Sequence, residues 1–331
     1  MISTDIQQQI SELVEEKFSQ LNLPQEPDSL YGPVRYTLSL GGKRIRPYFT
    51  LIGCGLCDGD IEDAIPAAIA IELLHNFTLL HDDIMDSAST RRGEPSVFKK
   101  WNASTAILSG DAMYAWAFEQ LQHYGKGEQF RKEQYNGILD IFLESAKTVC
   151  EGQAYDLDFE NEQMVSLDQY IHMIEGKTAA LIIGSFKMGG IVANSTDPCM
   201  KRLQKIGNHV GIGFQIQDDL LDVMADPAKF GKKSGGDILE GKKTYLSILS
   251  LQRGSADQKD SLNHVFEKSD ASEKEIEMVI DLYHQLGVIE TTLKTIDTHY
   301  KHAIEQVELF DESPYKSDLM AFLLNLKNRE Y

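Results

Sequence analysis

Two stretches of this 331-residue chain repeat one acidic pattern, Asp82-Asp83-Ile84-Met85-Asp86 and Asp218-Asp219-Leu220-Leu221-Asp222. On a helix, residues four apart stack on one face, with Cβ atoms about 5–6 Å apart. Asp82 then points with Asp86, and Asp218 with Asp222. Apolar neighbours flank both motifs (Phe77, Leu79 and Leu80; Phe214, Ile216 and Val223), and a carboxylate left unpaired in such surroundings is costly. A hard cation that takes oxygen ligands satisfies it. Mg²⁺ fits best, because it is held by one or two carboxylates together with substrate phosphates. A single motif of this kind in an acidic chain reads equally well as a solvated turn. Two copies in apolar context argue for a metal-binding device.

The basic residues say what the metal would hold. The chain has 32 Lys and Arg against 51 Asp and Glu, a net charge of −19, so on average it repels anions and nucleic acid. Its cations are nevertheless clustered, in Gly41-Gly42-Lys43-Arg44-Ile45-Arg46-Pro47, in Arg91-Arg92, and in Lys232-Lys233 and Lys242-Lys243. Arg binds phosphate as a planar fork and Lys as a point charge. Each acidic motif has basic residues close behind it in sequence. Carboxylate, metal, diphosphate and guanidinium would alternate in sign around one cavity.

The elements that must position these residues read as helices. Apolar residues recur at helical spacing, as in Ile10, Leu13, Val14, Phe18 and Leu21. The nine prolines (24, 27, 33, 47, 66, 95, 198, 227 and 314) are expected at element boundaries, leaving long proline-free runs for long helices. Pro66 through Ser89 reads as one helix, apolar almost all round, and therefore buried in a bundle. Segments 133–158, 168–193 and 199–225 are further helices, with loops at 25–34, 87–97, 194–198 and 226–243. No strand run precedes a glycine-rich turn, so βαβ units are not expected. The fold class is all-α. A single domain over 1–331 is expected, because the proposed site draws on residues from 43 through 242. Continuous apolar stretches such as 178–183 fall well short of the ~20 residues of a membrane span. The N-terminal stretch lacks a basic then apolar leader, so a cytoplasmic chain with free thiols at Cys54, Cys57, Cys150 and Cys199 is expected.

Other motifs read more plainly. Cys54-x-x-Cys57 has no second ligand pair for zinc and reads as core or helix-surface thiols. Gly176-Lys177-Thr178 ends like a phosphate-binding loop but has Ile171 where such a loop needs glycine. Gly236 to Lys242 comes closer but continues with Lys243 in place of Ser or Thr. The His residues show no metal spacing. The acidic stretches at 58–63 and 156–162 read as solvated faces or turns.

Taken in order, GGKRIRP (41–47), LLHDDIMDSASTRRGEPS (79–96), GDAM (110–113), GQAYDLDFE (152–160), GKTAAL (176–181), GFQIQDDLLD (213–222) and GKKSGGDILEGKKTY (231–245) resemble the motifs of the trans-prenyltransferases of the polyprenyl diphosphate synthase family. That family includes farnesyl and geranylgeranyl diphosphate synthases. The ending Asn328-Arg329-Glu330-Tyr331 also resembles bacterial-type members. The resemblance implies a large helical bundle of the isoprenoid synthase type with a central cavity, and a homodimer; no stable membrane anchor is expected because the apolar stretches are short. It implies condensation of isopentenyl diphosphate with allylic diphosphates, using three Mg²⁺ ions. By motif position, Asp82 and Asp86 would bind two of the ions and Asp218 the third, with Asp222 and Asp83 supporting. Lys177, Lys232 and Lys242, with Arg91, would clamp the allylic diphosphate, and Thr178 and Gln215 would line the same diphosphate or the cation. Lys43, Arg46, His75 and Arg92 match the isopentenyl diphosphate site. The loop at 231–241 would act as a lid over a reaction that water must not reach.

Chain length is read from the cavity floor. The resemblance gives that role to Phe77, the fifth residue upstream of the first motif, beside Thr78. One aromatic and no insertion within the motif look like the geranylgeranyl type, predicting a C20 product with C15 next. A class I terpene cyclase would usually lack the second aspartate motif and would not need Lys43, Arg46 and Arg92. A non-catalytic partner subunit would typically have lost motif aspartates, and none is lost here.

Overall fold

Buried apolar stripes and capped ends account for the helices of this chain. The computed structural model describes residues 5–224, 235–268 and 270–328. Helix α1 (Asp5–Ser19) buries Ile10, Val14 and Phe18, spaced four apart. Helices α2 (Asp28–Ser39), α3 (Ile45–Gly55) and α4 (Ile65–Met85) follow. A two-stranded ribbon, β1 (Thr90–Arg91) and β2 (Glu94–Pro95), joins α4 to the short α5 (Val97–Lys100) and to α6 (Ala103–Leu121). Asn102 starts α6 by accepting the Thr105 amide at 2.9 Å, a side-chain cap for an otherwise orphaned donor. Helix α7 (Lys132–Glu160) precedes α8 (Leu167–Ile174), which runs through a π-helical turn, Glu175–Ala179, into α9 (Ala180–Val192). Helix α10 (Asp197–Met224) ends in the second motif. Beyond it lie α11 (Gly236–Leu239), α12 (Tyr245–Arg253), α13 (Ala256–Phe266), α14 (Glu273–Gln285), α15 (Val288–Glu308) and α16 (Pro314–Lys327).

The chain folds into two compact units. One comprises Met1–Ala146, Leu181–Gln204 and Phe310–Leu319; the other comprises Lys147–Ala180, Lys205–Leu309 and Met320–Tyr331. The first is built on α4, which packs along α6 and α3. Its core includes Phe49, Leu74 and Met113, with Phe49 stacked on Phe186 at 4.5 Å between ring centres. The second is cored by Ile206 and Val210 of α10, Leu246 of α12, Val279 of α14 and Tyr300 of α15.

The all-α expectation holds: apart from the four-residue ribbon, the regular elements among the described residues are helical. Segments expected as helices at 133–158 and 199–225 are α7 and α10, within two residues at each end. The helix expected at 168–193 is α8 and α9 with the π turn inserted. The helix expected to run to Ser89 stops at Met85, with Asp86 as its cap.

The segment expected as loop at 226–243 is not all loop, since α11 (Gly236–Leu239) lies within it, and two further expectations need correction. The segment 25–34 is not all loop: α2 begins at Asp28 and contains Pro33. Proline deletes one intrahelical bond, but the helix continues because Val34 and Thr37 bury beyond it. The stretch Ile61–Met85 is long and apolar enough, by length and composition, to cross a bilayer, although no uninterrupted apolar run is. In this fold 61% of its apolar window is buried, as befits a core helix.

Candidate active site

The first acidic motif closes α4. Asp86 is the exposed C-cap, its amide donating to the Asp82 carbonyl at 2.9 Å. The two adjacent aspartates differ sharply. Asp83 is 2% exposed and accepts hydrogen bonds from Arg91 Nε, at 2.9 Å, and from Arg91 Nη2. Burial pushes its carboxyl up, and the Arg91 guanidinium opposes that. The Asp82 side chain is 21% exposed, with its Oδ2 3.8 Å from Arg91 Nη2. Arg91 owes its place to the ribbon, where it pairs with Glu94 across a two-residue turn. Arg92 and Gly93 in that turn have φ of 55° and 83°, the left-handed pair that a tight hairpin needs.

Arg92 reaches back to the Gly41 carbonyl. Gly42 has a φ of 138°, a conformation that L side chains rarely adopt, so glycine is required where the Arg92 guanidinium crosses the backbone. The basic run following Gly42 then divides. Arg44 is 6% exposed and donates to Glu72 at 2.9 Å, Glu15 at 3.0 Å and the Leu38 carbonyl at 3.0 Å; it is a structural buried pair. Lys43 is exposed on the turn, and Arg46 is half-buried in the first turn of α3. His75, on α4, has its imidazole held well below the usual range, first by burial and then by Arg46, Arg92, Arg91 and Arg44. Of the residues expected to bind isopentenyl diphosphate, Arg46, His75 and Arg92 are thus brought together. A neutral ring set among guanidinium groups is a place for an anion.

The second motif repeats this division. Asp219, 5% exposed, accepts from Tyr170 Oη at 2.5 Å, Gln215 Nε2 at 3.0 Å and the Tyr245 amide at 3.1 Å. Burial pushes its carboxyl up to about 6 against those bonds. Asp218 and Asp222 are half-buried. Asp222 Oδ2 accepts the Asp237 amide at 2.9 Å, so the chain at Gly235–Leu239 folds around it. Burial raises Asp222, and burial and Asp222 raise Asp237 to about 8. Lys242, 2.8 Å from Glu240 Oε2, opposes both rises.

Lys177 and Thr178 sit on the π turn, an insertion found frequently at functional sites. Lys177 Nζ is 2.5 Å from Asp156 Oδ2. Thr178 Oγ1 donates to Gln215 Oε1 at 2.7 Å, continuing the chain Gln215–Asp219–Tyr170. Glycine at 152 makes the approach possible: a Cβ there would lie 2.1 Å from the Lys177 amide nitrogen.

Phe77 does not stand alone. Its ring centre is 5.1 Å from that of Tyr114 and 4.6 Å from that of His81. Tyr114 meets Phe118 at 5.2 Å, and Phe118 meets Phe142 at 5.0 Å. The aromatic wall expected from one residue is a cluster of four, drawn from α4, α6 and α7. Thr78 Oγ1 donates to the His75 carbonyl at 2.8 Å.

A sequence profile of polyprenyl synthetases matches residues 27–283. The chain belongs to the polyprenyl synthetase family. It is 34% identical over 327 residues to a short chain isoprenyl diphosphate synthase of Methanothermobacter thermautotrophicus, covering 99% of this chain and 98% of that protein. A geranylgeranyl pyrophosphate synthase of Geoglobus acetivorans is 37% identical over 321 residues, covering 97% of each. The crystal structure of a geranylgeranyl pyrophosphate synthetase from Pyrococcus horikoshii matches with a TM-score of 0.92 at 36% identity, over 98% of each chain. This polyprenyl synthetase is accordingly a trans-prenyltransferase, of a family that uses isopentenyl and allylic diphosphates and a divalent metal.

The donor set fits that metal. Asp82 with Asp86, and Asp218 with Asp222, offer only hard oxygens, as Mg²⁺ requires. No three His, Cys, Asp or Glu side chains form a metal cage among the described residues. Two carboxylates that share an ion with substrate phosphate need no such cage. Lys232 and the 231–234 part of the expected lid lie outside the described residues, as do Lys233, Pro227 and the ending at 329–331.

Sequence reasoning gave no separate role to Asp219 or Tyr170, and it read the 156–162 stretch as a solvated face or turn, whereas Asp156 lies on α7 and pairs with Lys177. For Asp219 a signal existed: it occupies the same place in its motif as Asp83. For Asp156 the signal was its place four residues after Gly152, on one helical face.

Proposed function

We propose that this chain joins isopentenyl diphosphate head-to-tail (1′-4) to allylic diphosphates, with C20 geranylgeranyl diphosphate as the main product. One observation carries the reading of the site: in both motifs the middle aspartate is buried and fixed, and the outer two are left more open. The outer four, Asp82, Asp86, Asp218 and Asp222, are the metal ligands in this proposal. Three Mg²⁺ ions there would supply the Lewis-acid charge that a departing diphosphate needs.

Each remaining residue then has a task. Lys177, Lys232, Lys242 and Arg91 hold the allylic diphosphate and neutralise it as the C–O bond breaks; charge preorganised in this way is usually the largest catalytic contribution. Thr178 and Gln215, fixed by their mutual hydrogen bond, line the same group. Lys43, Arg46, His75 and Arg92 hold isopentenyl diphosphate, supported by the guanidinium groups around the His75 ring. Its double bond attacks the allylic cation, and the proton then lost passes to the released diphosphate. Phe77 with Thr78, backed by Tyr114, closes the floor and limits the chain. Relatives named as geranylgeranyl synthases support C20 over C15. The two compact units together make one catalytic domain over 1–331, a reading supported by the family profile, which runs through segments of both. The working enzyme is a cytoplasmic homodimer without a stable membrane anchor.

The test is turnover of the purified protein with Mg²⁺, dimethylallyl diphosphate and labelled isopentenyl diphosphate, followed by sizing of the dephosphorylated products. A dominant C20 alcohol is expected. A dominant C15 or C25 product overturns the length assignment. Turnover without incorporation of label overturns the condensation.

A further inference from the structure

Away from the candidate active site, two thiols meet at the end of α3 and the start of α10. Cys57 Sγ lies 2.6 Å from Cys199 Sγ, across 142 residues of chain. Both cysteines are free and half-buried, so a small reagent can reach a pair whose geometry the surrounding helices fix. Cys54 shares the C-x-x-C spacing with Cys57 but not this contact. Its sulfur is fully buried and donates to the Asp60 carbonyl at 3.3 Å, and burial pushes the thiol up to about 12. It is a core residue and a poor nucleophile.

The backbone holds both sulfurs in place. The Cys57 amide donates to the Cys54 carbonyl at 3.0 Å, in the turn that closes α3. Cys199 is the third residue of α10, where orphan backbone N–H groups and the helix dipole favour a thiolate. A hydrogen bond from the Cys57 thiol, followed by Ser195 and Arg202, holds the Cys199 thiol down to about 7 against the cost of burial. The same contact pushes Cys57 up. One sulfur is therefore prepared to attack, and the other is seated to resolve the product.

We propose that Cys57 and Cys199 form a reversible intramolecular disulfide, a redox-modification site that staples the end of α3 to the start of α10. The oxidant class is a low-molecular-weight disulfide. The Cys199 thiolate attacks one sulfur of that disulfide, forming a mixed disulfide and expelling one small thiolate. Cys57 gives up its proton and displaces the second small thiolate from Cys199, closing the Cys57–Cys199 bond. Two protein thiols are oxidised, the reagent's disulfide is reduced to two thiols, and the protons released by the protein pass to them. Closing an S–S bond of about 2.05 Å from the present contact needs only small side-chain rotations.

The experiment uses the full chain, reduced and then exposed to oxidised glutathione, quenched with iodoacetamide and mapped by proteolysis without reductant. The expected result is a linked pair of peptides carrying Cys57 and Cys199, lighter than the reduced pair by two hydrogens. The melting temperature should rise on oxidation and return with dithiothreitol. Cys57→Ser should trap Cys199 as a mixed disulfide with glutathione, whereas Cys199→Ser should leave Cys57 unmodified. Recovery of both cysteines as alkylated thiols after oxidation overturns the proposal, as does linkage of Cys57 to Cys54 or Cys150. The peptide map of the unsubstituted chain decides the matter even where a variant fails to fold.

Discussion

Asp83, not its neighbour Asp82, holds Arg91: the buried Asp83 carboxylate accepts Arg91 Nε at 2.9 Å, while Asp82 stands 3.8 Å away. Adjacent residues on a helix point about 100° apart, so one can anchor a guanidinium while the other faces a ligand. The two aspartates should therefore fail differently. Asp83→Asn should cost about 2 kcal/mol of stability, reduced from the buried-pair value because Arg91 keeps some solvent. Asp82→Asn should leave stability nearly unchanged and lower kcat by about 100-fold or more. Urea unfolding and steady-state turnover on both variants check this, and equal stability losses would refute it.

The contact between Gly152 and Lys177 gives a second expectation. Gly152→Ala places a methyl 2.1 Å from the Lys177 amide nitrogen. Either α7 or the π turn must move, at a cost of about 1–3 kcal/mol. The shift also pulls Lys177 away from Asp156, so turnover should fall with stability. A variant with parental stability and turnover would show that the close approach is not needed.

Phe77→Ala opens the aromatic cluster at its edge. We expect longer products, read by chromatography of the dephosphorylated alcohols, and a stability loss of about 3 kcal/mol from the lost packing. Unchanged product length would remove Phe77 from the floor and leave it as core packing.

Acid should weaken the second compact unit at its histidines. His209 Nδ1 and His299 Nδ1 are 3.3 Å apart, with His302 also against His209. Burial, then His209 and His302, hold His299 down to about 4, against an ordinary value near 6.5. The folded state thus binds fewer protons than the unfolded state between those values. Stability is fully present above about pH 6.5 and is lost as pH falls toward about 4. Discounted for partial exposure, the loss is on the order of 1 kcal/mol. Melting temperature against pH should be flatter over this window in His299→Gln; an unchanged slope would remove the pair as the cause.

Chelation separates structural from catalytic metal. With no three-ligand cage among the described residues, EDTA should abolish turnover yet shift the melting temperature by only about 1 °C, since little folding energy is linked to the ion. Unfolding on chelation would contradict this.

The sequence alone determined what depends on near neighbours. Helical periodicity, the Pro-free run of α7 and the i,i+4 spacing of Asp82 with Asp86 and Asp218 with Asp222 are all legible within a few residues. So was the family, because its motifs are short and ordered. Only the tertiary structure decided pairings between distant residues. It chose Asp83 and Asp219 as anchors, seated Asp156 on Lys177, carried α2 through Pro33, and set Cys57 against Cys199 rather than Cys54. Tyr170 reaches Asp219 across 49 residues and Cys57 reaches Cys199 across 142. No local pattern encodes such contacts, because they are fixed by which helix faces find burial together.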